Sequence, residues 1–353
     1  MAKLLMKGNE AIAEAAMRAG CTCFFGYPIT PQTEVAAYMA KNMQKIPGGV
    51  YVQAESEIGA INMVLGAASA GKRVMTSSSS PGISLKTEGI SYIVGSNLPC
   101  VIINVQRGGP GLGGIQPSQA DYFQATKALG HGDIYIPILA PNSIQETVDL
   151  IGDAFDMADE YLTPVMLLSD GLIGQMMEPV EIPAAKPAPA NKPWATTGTE
   201  EKRAPNITNS LELAPLDLEN KIKARFKRYG ALKAKEVRFE SYRCEDANII
   251  LTAFGATSRI VKSVVDELRD AGCKAGLFRP ITLWPFPSEE ISKLTDIAKG
   301  FLSIEMNMGQ MVDDVKLAVN GKRPVKFFGR TGGIIPTPAE IFEATTSFAK
   351  EIL

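Results

Sequence analysis

Histidine is almost absent from this chain: His131 is the only one in 353 residues. A histidine-based metal centre and a Ser-His-Asp hydrolase are therefore disfavoured. Cysteine is sparse and scattered, at Cys21, Cys23, Cys100, Cys244 and Cys273. An odd, dispersed set is not a disulfide framework, and without a Cys-x-x-Cys there is no iron–sulfur ligation pattern. The pair Cys21-x-Cys23 reads as two small fillers of a buried strand. There is no run of about 18 apolar residues, so no membrane-spanning helix is expected. The apolar stretch within residues 1–7 is too short for a secretory leader. Lys and Arg number 36 against 38 Asp and Glu, a net charge of −2 that gives no electrostatic reason to expect nucleic acid or an acidic membrane surface. The expectation is a cytoplasmic protein. Two nucleotide signatures are missing as well. The glycine-rich stretch 108–114 lacks the Gly-Lys-Ser/Thr ending of a phosphate-binding loop, and Gly26-Tyr27-Pro28 at the first strand-to-helix turn does not fit Gly-x-Gly-x-x-Gly. A nicotinamide-dependent dehydrogenase is disfavoured.

What is present is a repeated strand–helix grammar. Residues 8–20 read as a helix with Ala11, Ile12, Ala15 and Ala16 on one face, followed by a short buried strand at 21–25. Thr30-Pro31 reads as the next helix start, with Thr30 as N-cap and Pro31 in the first helical position. Residues 50–53, 73–77, 100–105 and 164–168 read as further strands, and 57–71, 80–96 and 143–161 as helices. The strands are continuously apolar rather than alternating, which predicts burial on both faces of a parallel sheet. Residues 182–190 are rich in Pro and Ala and read as a linker. A helix at 217–235 follows, with seven Lys or Arg and no acid from Lys221 to Lys235. It reads as a solvated face packed on a neighbouring domain or subunit, the alternative being contact with an acidic partner or ligand phosphates. A second α/β unit begins near Ala247. The predicted organisation is a first domain at 1–180, a connecting segment with one basic helix at 181–245 and a second domain at 246–353. The fold class is two doubly wound, mostly parallel α/β domains.

Right-handed crossovers place strand-to-helix loops at one edge of such a sheet, where ligands bind. The loops at 27–30, 54–57 and 77–80 and the loop after Arg107 should therefore meet on one surface. Central among them is Ala54-Glu55-Ser56-Glu57-Ile58-Gly59-Ala60, which opens a helix of small residues. Glu57 supplies an acid, Arg107 a fork for a carboxylate or phosphate, Thr30 a hydroxyl beside a helix start, and glycines 108–114 a backbone that a ligand can approach. The set suits a small carboxylate-bearing substrate beside a cofactor. It equally suits a helix-start charge, a structural ion pair and a surface glycine loop, and spacing alone does not separate the two.

Four motifs carry a resemblance. Tyr27-Pro28-Ile29-Thr30-Pro31, Ser56-Glu57-x-Gly59-Ala60, Asn104-Val105-Gln106-Arg107-Gly108-Gly109-Pro110-Gly111, and Arg279-Pro280-Ile281-Thr282-Leu283-Trp284-Pro285-Phe286-Pro287 closely resemble, in the same order, those of 2-oxoacid:ferredoxin oxidoreductases. The match covers nearly the whole chain apart from the linker. The short length and residues 111–121 most resemble the separate subunit of the branched-chain, 2-oxoisovalerate-oxidising enzymes.

The resemblance implies that residues 1–180 form a thiamine diphosphate pyrimidine-binding domain, and that the second domain is similar to the C-terminal domain of transketolase. It implies that Glu57 hydrogen-bonds the cofactor's aminopyrimidine nitrogen. Tyr27, Pro28, Ile29 and Ser79 would line the cofactor, while Thr30 and Arg107 would hold the substrate carboxylate. A Gly-Asp-Gly…Asn motif is missing, since Ser169-Asp170-Gly171 has no matching asparagine downstream. Mg²⁺ and [4Fe–4S] clusters are thus expected on partners: a diphosphate-binding beta-type subunit, a gamma-type subunit and a ferredoxin-like cluster subunit. The implied reaction is coenzyme A-dependent oxidative decarboxylation of a branched-chain 2-oxoacid, with ferredoxin as acceptor. Pyruvate and 2-oxoglutarate are alternative substrates, and a catalytically silent scaffold subunit is the alternative of a different class.

Overall fold

The computed structural model describes residues 3–352. The first half of the chain runs β1 (Leu4–Lys7), α1 (Gly8–Arg18), β2 (Cys23–Gly26), α2 (Thr33–Asn42), β3 (Val50–Gln53), α3 (Glu57–Ser69), β4 (Val74–Ser78), α4 (Ser80–Gly95), β5 (Cys100–Gln106), α5 (Tyr122–Thr126), β6 (Ile138–Leu139), α6 (Ile144–Tyr161), β7 (Pro164–Asp170), α7 (Gly171–Gln175) and β8 (Met177–Val180). The second half adds α8 (Pro215–Lys235), β9 (Phe239–Tyr242), β10 (Ile249–Thr252), α9 (Gly255–Asp270), β11 (Ala275–Pro280), β12 (Thr282–Trp284), α10 (Ser288–Leu294), β13 (Gly300–Glu305), α11 (Met311–Val319), β14 (Val325–Gly329) and α12 (Pro338–Ile352).

A seven-stranded sheet has the order β12-β6-β7-β5-β4-β2-β3, and a five-stranded sheet the order β14-β13-β10-β11-β9. Within these two sheets the pairings are parallel except β12 with β6 and β9 with β11, and β1 pairs antiparallel with β8 in a separate two-stranded sheet. The central strands β4, β5 and β7 are buried along their whole length, as their unbroken apolar runs require. Two strands lie where sequence boundaries do not place them. β9, inside the segment expected to be connection, is an edge of the second sheet. β12, from the second half of the chain, closes the first sheet against β6.

The proline-rich connection is docked rather than free. Lys192 pairs with Asp159 at 2.7 Å, and Thr196 N donates to the carbonyl of Ser69 at 2.8 Å. The basic helix α8 packs on the body of the same chain. Its Tyr229 and Leu232 are buried, and Tyr229 meets Trp284 edge-on at 5.4 Å between ring centroids. Its five lysines from 221 to 235 are exposed as a solvated face requires, whereas Arg225 is buried and Arg228 half-buried against the body.

Gln119 joins the two halves. Its fully buried amide donates to the carbonyl of Phe254 at 2.7 Å and accepts from Thr257 Oγ1 at 2.8 Å and from Met306 N at 3.1 Å. Asp170 lies beside this contact. It caps α7 by accepting from Leu172 N at 2.9 Å and Ile173 N at 3.1 Å. Burial pushes its carboxyl up from 3.8 to about 6 despite those bonds. Because the folded state holds the proton longer than the unfolded chain, stability falls as pH rises through this window. Between pH 3.8 and about 6, the unfolding free energy of the native chain should lose roughly 3 kcal/mol more than that of Asp170→Asn, whose amide oxygen keeps the cap but does not titrate. Urea unfolding measured across that range checks this, and parallel slopes would contradict it.

Candidate active site

The parallel sheet brings the four loops to the carboxyl ends of β2, β3, β4 and β5, and the contacts among them are direct. Ala54 N donates to the carbonyl of Gly26 at 2.9 Å, which ties the loop of Glu57 to the loop of Tyr27. Arg107 Nη1 donates to the carbonyl of Thr30 at 2.9 Å, and Nη2 to that of Leu112 at 3.1 Å. Ser80 Oγ accepts from Arg107 N at 3.0 Å. The surface expected from topology is therefore formed.

Glu57 is the first residue of α3, whose N-cap Ser56 accepts from Gly59 N at 3.0 Å. An acid in this first turn suits the positive helix end. The two acids of the stretch have different fates: Glu55 is exposed, whereas Glu57 is 6% exposed. The Glu57 carboxyl lies over Gly82 on α4. A side-chain carbon at Gly82 would stand 2.8 Å from Glu57 Oε1 and would collide with Ser78 Oγ. A second glycine two turns on, Gly89, lets α3 approach in the same way: a carbon there would meet Ile61 Cγ2 at 2.5 Å. Bare positions on one face of α4 thus seat the acid.

On the loops that meet here, three of the nine unpartnered buried side-chain atoms of the described residues are found. Ser78 Oγ, Ser79 Oγ and Arg107 Nε are buried and make no hydrogen bond. Orphaned donors and acceptors of this kind are uncommon in folded proteins, and each calls for a partner from outside the chain, water or ligand. The donor set, a buried carboxyl with unpartnered hydroxyls near it, has the bonding chemistry that a polar heteroaromatic ring needs. Arg107, 9% exposed, keeps further N–H groups beyond the two bonded to carbonyls, so a carboxylate can still be received.

Thr30 does not cap a helix. The chain turns through residues 29–32, and α2 begins at Thr33 with Gln32 in the cap position. The reason is burial of Gln32, whose amide accepts from Ser77 Oγ at 2.5 Å and donates to the carbonyl of Tyr27 at 3.3 Å. Thr30 is exposed instead on the wall of a cleft of about 680 Å³ that Pro31, Gln116, Leu172, Met176 and Ile335 help to line. Glu57 is not part of that lining. Tyr27 is 37% exposed beside the cleft's loop, Pro28 is exposed and Ile29 is half-buried.

One network had no sequence signal. Asp121 Oδ2 accepts from Ser80 Oγ at 2.7 Å and from Asn104 Nδ2 at 2.9 Å, while Asn104 Oδ1 accepts from Ser80 N at 3.2 Å. It fixes the start of α4, where Ser80 has a φ of +23°, and so holds Ser79 and Arg107 in register. Burial raises the Asp121 carboxyl above its ordinary range, against the two hydrogen bonds and the Arg107 charge. Asn104 was visible at the end of an apolar strand, but its partner lies 17 residues away, beyond any local pattern.

Comparison with known proteins bears on this geometry. Residues 14–238 match the family described as pyruvate flavodoxin/ferredoxin oxidoreductase, thiamine diphosphate-binding, and residues 247–341 match pyruvate:ferredoxin oxidoreductase core domain II. The chain is 48% identical to a ketoisovalerate oxidoreductase subunit VorB of Methanothermobacter marburgensis, over 99% of both chains. It is 36% identical to a 2-oxoglutarate synthase subunit KorA of the same organism, over 95% of this chain and 96% of that one. It superposes with a TM-score of 0.85 and 27% identity on a solved 2-oxoglutarate:ferredoxin oxidoreductase from Magnetococcus marinus with 2-oxoglutarate, coenzyme A and succinyl-CoA bound. That match takes in 98% of this chain, which spans 65% of the length of the solved one. With two family domains in order along the sequence and near full-length identity to a curated subunit, the chain belongs to the 2-oxoacid:ferredoxin oxidoreductase family.

Proposed function

We propose that this chain is the pyrimidine-side subunit of a thiamine diphosphate-dependent oxidoreductase, and that its substrate is the branched-chain 2-oxoacid 2-oxoisovalerate. The observation that carries the cofactor assignment is the Glu57 carboxyl, buried against bare Gly82 beside the unpartnered hydroxyls of Ser78 and Ser79. Glu57 would exchange a proton with the pyrimidine ring nitrogen, a role suited to a desolvated carboxyl. Ser79 with Tyr27, Pro28 and Ile29 would line the ring. Bound thiamine diphosphate supplies the nucleophile and the electron sink for decarboxylation. Arg107, already anchored on the carbonyl of Thr30, would orient the substrate carboxylate together with the Thr30 hydroxyl.

The substrate assignment rests on the higher identity to the ketoisovalerate subunit and on the chemistry of the cleft. Its walls include Ile115, Leu172, Met176 and Ile335, and its one charged residue is Glu34. The Glu34 carboxyl is held below its ordinary value: burial pushes it up, but hydrogen bonds from Asn9 and Gln175 and the nearby Lys7 outweigh that. An ionised acid beside apolar walls accepts a branched aliphatic side chain and repels the second carboxylate of 2-oxoglutarate. Acyl transfer to coenzyme A and electron transfer to ferredoxin complete the reaction. Mg²⁺, the [4Fe–4S] clusters and the cofactor's diphosphate site are assigned to the beta-type, gamma-type and cluster-bearing partner subunits. The five cysteines here lie unpaired, four of them buried.

Reconstitution with the partner subunits tests both parts. Glu57→Gln should lower turnover by about 10²–10⁴-fold while assembly, read by size-exclusion chromatography, is unchanged; full turnover would refute the assigned role. The purified chain alone should show none. Dye or ferredoxin reduction with a panel of 2-oxoacids should give a kcat/KM for 2-oxoisovalerate about 100-fold or more above that for 2-oxoglutarate, and equal values would overturn the substrate assignment.

A further inference from the structure

Lys86 is fully buried, and the reading above does not use it. It sits on the inward stripe of α4 with Gly82, Ile83, Gly89, Ile90 and Ile93, where an aliphatic residue would ordinarily stand. An ammonium carries three donors. Among the described residues Lys86 Nζ makes one hydrogen bond, to Thr76 Oγ1 at 2.7 Å, and no salt bridge. Keeping a cation at such a position costs stability unless something nearby repays it.

Helix geometry indicates the direction in which it reaches. Lys86 follows Gly82 by one turn, and helical side chains lean toward the N-terminus, so Lys86 reaches back along the face of Gly82. The Glu57 carboxyl rests on that same bare position. Two titratable groups act on Lys86: Glu57 from α3 and Cys100 from β5. Burial pushes the Cys100 thiol up to about 12, so it is uncharged at neutral pH. Glu57 is then the charge that Lys86 senses.

Resting on the cofactor-facing role of Glu57, we propose that Lys86 is a positioning residue that acts electrostatically through Glu57. Its buried ammonium favours the ionised carboxylate and so biases the proton shared between Glu57 and the pyrimidine toward the ring. Thr76 holds the ammonium in place, and Gly82 adds no side chain of its own where the Glu57 carboxyl and the Ser78 hydroxyl come together. Burial pushes Lys86 down to about 8, against the Glu57 charge, so the cation still predominates at neutral pH.

The test uses the reconstituted complex loaded with thiamine diphosphate. Circular dichroism of the bound pyrimidine is titrated with pH for the native chain, Lys86→Met and Thr76→Val. Removing a nearby cation raises the pKa of every acid it faces, whichever atom of the coupled pair carries the proton. Lys86→Met should therefore move the midpoint up by about one pH unit. Thr76→Val, which removes the ammonium's hydrogen bond, should move it the same way by less, and it keeps the test alive if the first variant does not assemble. A purely structural lysine would change stability and leave the midpoint in place. A shift under about 0.3 unit in every variant that assembles overturns the proposal. Glu57→Gln separates the two readings. Retained turnover in that variant refutes the site itself, whereas lost turnover with an unmoved Lys86→Met midpoint refutes the lysine's role alone.

Discussion

The close approach of α3 to α4 is the contact on which the site depends. Without side chains at Gly82 and Gly89, the first turn of α3 settles onto α4, and the Glu57 carboxyl comes to rest within 2.8 Å of where a Gly82 Cβ would stand. Burying a carboxyl is costly unless it is compensated. Here the chain itself supplies a helix N-terminus, while the neighbouring hydroxyls of Ser78 and Ser79 find no partner within it. That combination is poor design for a structural acid and good design for one that meets a ligand.

The parallel sheet does the remaining positioning. Registering Ser78 with Asn104 and Asn104 with Leu168 puts the ends of β4, β5 and β7 side by side. From there the Ser80–Asn104–Asp121 network and the Arg107–Thr30 bond lock the loops to one another. Gln119 anchors the second half of the chain against this assembly. The outcome is a set of loops tied to one another at one sheet edge, the surface that the proposed function reads as half of an active site.

Much of this was legible in the sequence, for identifiable reasons. Unbroken apolar runs such as 100–105 announced central parallel strands, and the alternation with helices fixed which loops would converge. Loop placement put Glu57 forward as the acid of the set, and the resemblance gave it a role; the structure adds the physical difference from Glu55, one carboxyl buried and the other exposed. Thr30-Pro31 has the composition of a helix start, yet the buried side chain of Gln32 moves that start downstream, a tertiary effect that no cap rule contains. The edge strand β9 and the returning strand β12 are short and polar or aromatic in part, and their pairing partners are distant in sequence. Lys86 carries no mark in the sequence that sets it apart from its helix. Only packing shows that it lies on the buried stripe.

The central claim is that Glu57 faces the pyrimidine of thiamine diphosphate in an active site shared between chains. The most direct measurement is an experimental density map of the reconstituted complex with the cofactor bound. The account predicts the Glu57 carboxyl at hydrogen-bonding distance from the pyrimidine ring nitrogen, with the ring over Gly82 and the diphosphate held by the partner subunit. A cofactor ring bound away from Gly82, with Glu57 still turned into the protein, would contradict it.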